Sequence, residues 1–209
     1  MVSQILLALA ALAALAYGLR FAGHEGTSWP ATIIKTVSAA LLALAGWILG
    51  APGWIVVGLA LGATGDFALA RPGQAAFLAG MAAFALGHLA YAVEFWARIV
   101  GDPSPLAVAV LGAMGGLVLW TALWLAPRAA DLAWPVRAYG LVIGVMVAAA
   151  ALAGEALLLI GALVFAASDL ILALRMFVMR APGRRLWAGR VLWPLYWGGQ
   201  ALILAGSLL

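Results

Sequence analysis

The sequence predicts an all-α integral membrane protein, with eight transmembrane helices forming one polytopic domain over residues 1–209. Three observations carry that prediction. Of 209 residues, 67% are hydrophobic and 9% are charged, with a mean hydropathy of +1.16. Apolar runs of about one bilayer span each, ~20 residues, follow one another with only short breaks. Arginines gather beside every second break. A soluble domain is about 45–50% apolar and about 25% charged, so this chain has more apolar surface than one small core hides. Intrinsic disorder needs the opposite composition.

Gly, Pro and charge clusters divide the chain into apolar runs at 3–20, 31–49, 53–70, 74–98, 104–125, 136–152, 157–178 and 187–208. The first run lacks a basic leader and is followed by further spans, so it reads as a retained helix rather than a cleaved signal. The second and fifth follow "SWP" and "PSP", with Pro suited to the first helical turn. "GAPG" and "AGE" are short enough to demand tight antiparallel turns. The longest break is "APRAADLAWP", and "RAPGRR" precedes the last run. The absence of cysteine removes disulfides and thiolate ligands. The net charge of +4 points to anionic headgroups rather than nucleic acid, because the basic residues lie at helix ends.

Arg20, Arg71, Arg128, Arg137, Arg175, Arg180, Arg184, Arg185 and Arg190 sit at or beside odd-numbered loops, and only Arg98 flanks an even one. The positive-inside rule then places the odd loops in the cytoplasm and both termini on the non-cytoplasmic side. The expected location is the cell membrane, multi-pass, a bacterial inner membrane. An internal echo accompanies this pattern. "GLALGATGD" ends at Asp66 and "GALVFAASD" at Asp169, while Lys35 and Tyr139 precede the two aspartates by 31 and 30 residues. Two parallel four-helix repeats would give that echo, and so would chance in so Ala-rich a chain.

An ionisable side chain at the bilayer centre costs about 2.5–3.5 kcal/mol on insertion scales, so each one is a functional candidate. The candidates are Lys35 in the second run, Asp66 in the third, His88 and Tyr91 in the fourth, Tyr139 in the sixth, Ser168 and Asp169 in the seventh, and Tyr196 and Gln200 in the eighth. Under the predicted topology the helices that carry them can contribute to one cavity in the cytoplasmic half. Phe84, His88, Tyr91 and Phe95 follow one helical stripe. If Lys35, Asp66 and Asp169 share a low-dielectric cavity, desolvation and repulsion favour one proton retained by the carboxylate pair. A carboxylic acid beside a carboxylate is what general acid–base hydrolysis needs. Lys35 would stabilise a carboxylate or bind phosphate.

Structural roles compete with each of these. Lys35 and Asp66 also read as a packing ion pair, His88 as a core hydrogen-bonder, and Tyr139 and Tyr196 as ordinary core or interfacial residues. Glu94 and Arg98 read as an i,i+4 pair at the outer end. The ten tryptophans mostly read as interface anchors. Asp102, Asp131, Glu25, Glu155 and His24 fall in predicted loops and are expected to be solvated. One intramembrane histidine is thin support for a metal site, and none is expected. A lipid or solute transporter using the Asp/Lys cluster as a proton relay is the main alternative to an enzyme. A structural or sensory protein locked by polar contacts is a third.

"GDFALA…FLAGMAAFALGHLAYAVEF" and "AYGLVIGVMVAAA…LIGALVFAASDLILALRMF" resemble two signature stretches of the YhhN-like family, whose animal members are membrane lysoplasmalogenases. The intramembrane Lys35 and the closing "YWGGQALILAG" also match its pattern, so the likeness runs from about residue 31 to the C-terminus. One departure is Thr36, where the family often has Pro after its Lys; a kink there is in question. The resemblance implies an eight-helix enzyme that hydrolyses the vinyl ether of lysoplasmalogens to a fatty aldehyde and glycerophospho-ethanolamine or -choline, with no cofactor. By motif it implies roles for Asp66, His88, Tyr91, Tyr139, Ser168 and Asp169. In that expectation the two aspartates are catalytic, and Lys35, His88, Tyr91, Tyr139, Ser168, Tyr196 and Gln200 bind a lysophospholipid amid membrane lipids. A related ether or ester hydrolase is the runner-up among enzymes.

Overall fold

The computed structural model describes residues 1–26 and 28–209. The chain is all-α. In order it forms α1 (Val2–Arg20), α2 (Trp29–Ile48), α3 (Gly53–Leu69), α4 (Gln74–Trp96), α5 (Pro105–Trp120), α6 (Ala133–Ala153), α7 (Ala156–Phe177) and α8 (Pro182–Ser207). Ser28 and Ser104 cap α2 and α5 through their hydroxyls, with Pro at the start of each helix. Gly154 ends α6 in the left-handed conformation, which makes the tight turn into α7 possible. α2 runs unbroken past Thr36, so the departure from Pro there goes with a continuous helix.

Five stretches are long and apolar enough to cross a membrane: α1, α2, α4, α7 and the run Pro105–Ala153. The last folds back on itself. α5 continues as a π-helical turn over Thr121–Leu125 and a 3-10 segment over Ala126–Leu132, and the chain reverses at Ala130, where φ is 49°. α6 then packs antiparallel to α5, with Gly140 against Thr121 and Gly144 against Val118. Backbone groups in an apolar medium need partners. Here Arg137 Nε donates to the Ala122 carbonyl at 3.2 Å and Arg128 donates to the Trp124 carbonyl. α3 is apolar but shorter, at 17 residues. α8 starts five residues before the predicted run because Pro182 opens it and Gly183, Arg184 and Arg185 join its first turn.

Large apolar side chains such as Leu12, Leu15, Val108, Leu119 and Leu123 are exposed, whereas the interior is dominated by alanine. Water-driven burial would give the reverse. Helices in lipid instead associate by close van der Waals packing, which small residues allow. The glycines of α3 make this plain. A Cβ at Gly58 would lie 2.4 Å from the Tyr91 ring, and one at Gly65 would lie 2.6 Å from the Phe84 ring. α7 and α8 meet in the same manner at Gly161 and Gly199, where an added Cβ on either would stand 3.0 Å from the other's carbonyl oxygen. Eight of the ten tryptophans are exposed near helix ends or turns, as anchors are expected to be; Trp193 is buried and Trp197 partly so.

At the end of the bundle away from the arginine-rich loops, Arg98 ties three helices together. Its guanidinium meets Glu94 and Glu155 at 3.0–3.1 Å and donates to the Ser207 carbonyl at 3.0 Å. Partial burial disfavours the charge, but the hydrogen bonds and attraction of the two glutamates outweigh it and hold Arg98 above its ordinary value. Glu155 was expected to be solvated; it is instead drawn into this cluster by the tight turn before α7. Gly58→Ala is expected to destabilise the protein by about 1–3 kcal/mol, because the Tyr91 ring must move out of the α3–α4 contact. Gly112→Ala, with open space around it, should be nearly neutral. Thermal unfolding of the two variants in one detergent checks the contrast.

Candidate functional site

Each buried carboxylate recruits its own partners. Asp66, on α3, is almost fully buried. Lys35 of α2 reaches it with Nζ 2.8 Å from Oδ1, and the Tyr196 hydroxyl of α8 donates to Oδ2 at 2.8 Å. The Lys35 ammonium also lies 5.8 Å from the centre of the Tyr196 ring and 6.0 Å from that of Trp193. Gly62 makes room for this arrangement, since a Cβ there would fall 2.8 Å from Gln200 Oε1 and 3.4 Å from the Tyr196 hydroxyl. Lys35 thus takes the first of its two expected roles, stabilising a carboxylate.

Asp169, on α7, receives the Tyr139 hydroxyl of α6 at 3.2 Å and stands 3.1 Å from His88 Nε2 of α4, off the N–H axis. The other ring nitrogen, Nδ1, lies 2.6 Å from the Phe84 carbonyl. A carbonyl only accepts, so Nδ1 must carry hydrogen. The approach of Nε2 to Asp169 is therefore a close contact of two polar groups rather than an aligned hydrogen bond. Sequence reasoning expected the two aspartates to share a proton. Each has its own set of polar neighbours, Lys35 and Tyr196 for Asp66 and Tyr139 and His88 for Asp169.

The partners cross between the halves of the chain. Lys35 and Tyr139 are each the seventh residue of α2 and α6. Asp66 and Asp169 are each the fourteenth of α3 and α7, and His88 and Tyr196 the fifteenth of α4 and α8. Each aspartate therefore takes one partner from the helix before it and one from the last helix of the opposite half. The sequence echo exposed the first correspondence but not the His88–Tyr196 one, because those two side chains differ.

A cavity of about 650 Å³ joins Lys35, Asp66, Ser168, Asp169 and Tyr196. That is within the ~300–1,000 Å³ typical of small-molecule sites. It opens towards the arginine-rich end, past Arg20, Arg175 and Arg185. The α1–α2 connection borders the opening. Arg175 donates to the Gly23 and His24 carbonyls at 3.0 and 3.3 Å, and Arg185 pairs with Glu25. His24 and Glu25, expected to be solvated loop residues, thus form part of the rim.

The remaining predicted residues stand behind that cavity. His88 meets it through Asp169. Tyr91 is 1% exposed, and its hydroxyl lies 3.4 Å from Gln200 Oε1 beneath Tyr196. Ser168 borders the cavity, although its hydroxyl donates to the Phe165 carbonyl at 2.7 Å. Trp193, Phe84 and Arg175 also line the space; the sequence placed Phe84 on the His88 stripe and Arg175 among the topology-setting arginines, without a role at the site. Trp193 was assigned to the interface anchors; its indole N–H donates to the Ala14 carbonyl at 2.8 Å and its ring packs on Tyr17. Pro194 beside it, inside α8, was the available signal, since proline within a helix marks a turn with one backbone hydrogen bond fewer. Among the described residues, no group of three or more His, Asp or Glu side chains is close enough to hold a metal ion.

No curated protein and no solved structure matches the chain. The family model described as the YhhN family matches residues 30–207. That span covers α2 to α8 and every residue of both aspartate clusters, and by it the chain belongs to the YhhN family.

Proposed function

We propose that this protein is a membrane hydrolase that cleaves the vinyl ether of lysoplasmalogens, releasing a fatty aldehyde and a glycerophospho-ethanolamine or -choline. Family membership supplies the activity class. The single observation that carries the chemistry is the unequal surroundings of the two aspartates on one cavity. Asp66 is faced by an ammonium and a hydroxyl donor, surroundings suited to a carboxylate. Asp169 is faced instead by the Tyr139 hydroxyl and the His88 imidazole, and we assign it the part of the acid.

The reaction follows from that asymmetry. Asp169 delivers a proton to the vinyl carbon remote from the ether oxygen, and the carbon next to oxygen becomes an oxocarbenium ion. The Asp66 carboxylate stabilises this positive centre and accepts a proton from the attacking water. The hemiacetal so formed expels the glycerol oxygen as an alcohol and leaves the aldehyde. One water is consumed in total, and the acid is restored when the proton returns to the Asp169–His88 pair. Arginines at the cavity opening suit the phosphate of the headgroup. Tyr139 and His88 act through Asp169, and Tyr91 and Gln200 through Tyr196, as positioning residues. A proton-coupled transporter using the same Asp/Lys cluster is the alternative, and proton-coupled flux in liposomes without product formation would favour it.

The membrane arrangement belongs to the same reading. Eight spans with both termini outside would place the cavity opening at the cytoplasmic surface, where the arginines meet anionic headgroups. A C-terminal alkaline phosphatase fusion should then be active and a C-terminal fluorescent protein dark; the converse would reverse the topology.

Purified protein incubated with a lysoplasmenyl lipid is expected to release aldehyde. In D₂O the aldehyde should carry one deuterium on the carbon next to the carbonyl, the mark of carbon protonation. Asp169→Asn and Asp66→Asn should each slow turnover by about 10²–10⁴-fold while still folding. Near-normal aldehyde release from either folded variant would overturn the paired-acid mechanism. Fatty acid release from an ester substrate at a higher rate would reassign the substrate class.

A further inference from the structure

A groove of about 390 Å³ lies between α2 and α3 on the outside of the bundle. Among the described residues, none lines both this groove and the large cavity. Thr36, Ala40 and Ala43 border it from α2 at i, i+4 and i+7, and Ala60, Thr64 and Phe67 border it from α3 at the same spacing. Both stripes therefore run lengthwise for roughly 10 Å, at about 1.5 Å per residue. Ala43 and Ala63 are buried and form the floor, whereas Ala40, Ala60, Thr64 and Phe67 are exposed. The Thr64 hydroxyl donates to the Ala60 carbonyl at 3.0 Å, so the walls are nearly apolar.

A cation stands at one end of the groove. Arg71 follows Phe67 by one turn, at the arginine-rich end of the bundle. Its guanidinium lies 4.0 Å from the centre of the Trp29 ring and 5.1 Å from that of Phe67. Its Nη2 donates to the Thr32 hydroxyl at 2.7 Å. Thr32 precedes Thr36 by one turn, so this bond holds the guanidinium where the two stripes end. Its Nε is buried and has no hydrogen-bond partner. Among the described residues, no carboxylate forms an ion pair with Arg71. A guanidinium set between aromatic rings, bonded to a neutral hydroxyl and lacking a counter-charge, is suited to a phosphate.

We infer that this groove binds a phospholipid of net negative charge, with the phosphate on Arg71 and the upper part of one chain against the alanines. The site is distinct from the hydrolytic one and does not depend on that reading. The groove covers about a third of the ~30 Å hydrocarbon core, which is the part of a chain nearest its headgroup. Trp29, exposed beside Arg71, suits the boundary between headgroups and hydrocarbon. Charge favours a lipid over a second copy of this chain. Two copies related by a two-fold axis along the bundle would bring both Arg71 cations to the same level, whereas a phosphate neutralises one. It also favours a net negative headgroup over choline or ethanolamine, which carry a cation of their own.

The test uses the full-length protein in proteoliposomes. The chain has no cysteine of its own, so Val37→Cys, at an exposed position next to Thr36, carries a single fluorescent label beside the groove. Phosphatidylglycerol brominated in its chains is expected to quench the label at a lower mole fraction than brominated phosphatidylcholine does. Adding Arg71→Gln should cut that preference about fivefold, the share of one surface cation. Adding Ala60→Phe, which fills the groove from its exposed wall, should weaken quenching by both lipids. Equal quenching by the two lipids, a preference that survives Arg71→Gln, or quenching untouched by Ala60→Phe would overturn the proposal. A disulfide-linked dimer formed on oxidation of Thr64→Cys would also overturn it and assign the groove to a second copy.

Discussion

The burial of two carboxylates away from water organises this bundle. An isolated charge in an apolar medium costs several kcal/mol, so each acid must find donors or keep its proton. Asp66 finds Lys35 and Tyr196, and Asp169 finds Tyr139 and His88. These contacts require α2 beside α3, α8 against α3, α6 beside α7 and α4 against α7. Two polar clusters therefore define much of the helix arrangement, and one partner of each aspartate joins the two halves of the chain.

The rest of the interior serves that arrangement by being small. Gly58, Gly62 and Gly65 lie along one face of α3, and each admits a side chain from elsewhere: Tyr91, the Gln200–Tyr196 pair and Phe84. Larger residues there would separate α3 from α4 and α8 by the thickness of a methyl group or more. That displacement would lengthen the Tyr196–Asp66 bond before it affected any lipid-facing surface. Packing and chemistry are in this sense one property of α3. The large apolar side chains are left to face outwards, where lipid is as good a neighbour as protein.

The opposite ends of the bundle differ in the same physical terms. At one end Arg98 pairs with Glu94 and Glu155 and donates to the Ser207 carbonyl near the end of α8. At the other, Arg175 spends its hydrogen bonds on the backbone of the α1–α2 connection and Arg20 and Arg185 border an open hollow.

Composition, apolar run length and the spacing of Gly and Pro made the all-α membrane character legible, with helix ends mostly within two residues. Local helix periodicity was enough to gather Lys35, Asp66, His88, Tyr139, Asp169 and Tyr196 as candidates, because lipid makes every buried polar residue conspicuous. It could not pair them. The same residues are compatible with several pairings, and only the packing of the helices brings Lys35 and Tyr196 to Asp66 and Tyr139 and His88 to Asp169. The break "APRAADLAWP" already marked the turn that the chain makes at Ala130, but not its π-helical and 3-10 form, nor that Trp193 is a cavity wall rather than an anchor. The sequence by itself determined which side chains must avoid lipid, since transfer cost is a property of each residue. Which of them meet, and around what hollow, was decided by tertiary structure, since contact depends on the rotation and separation of helices that lie far apart along the chain.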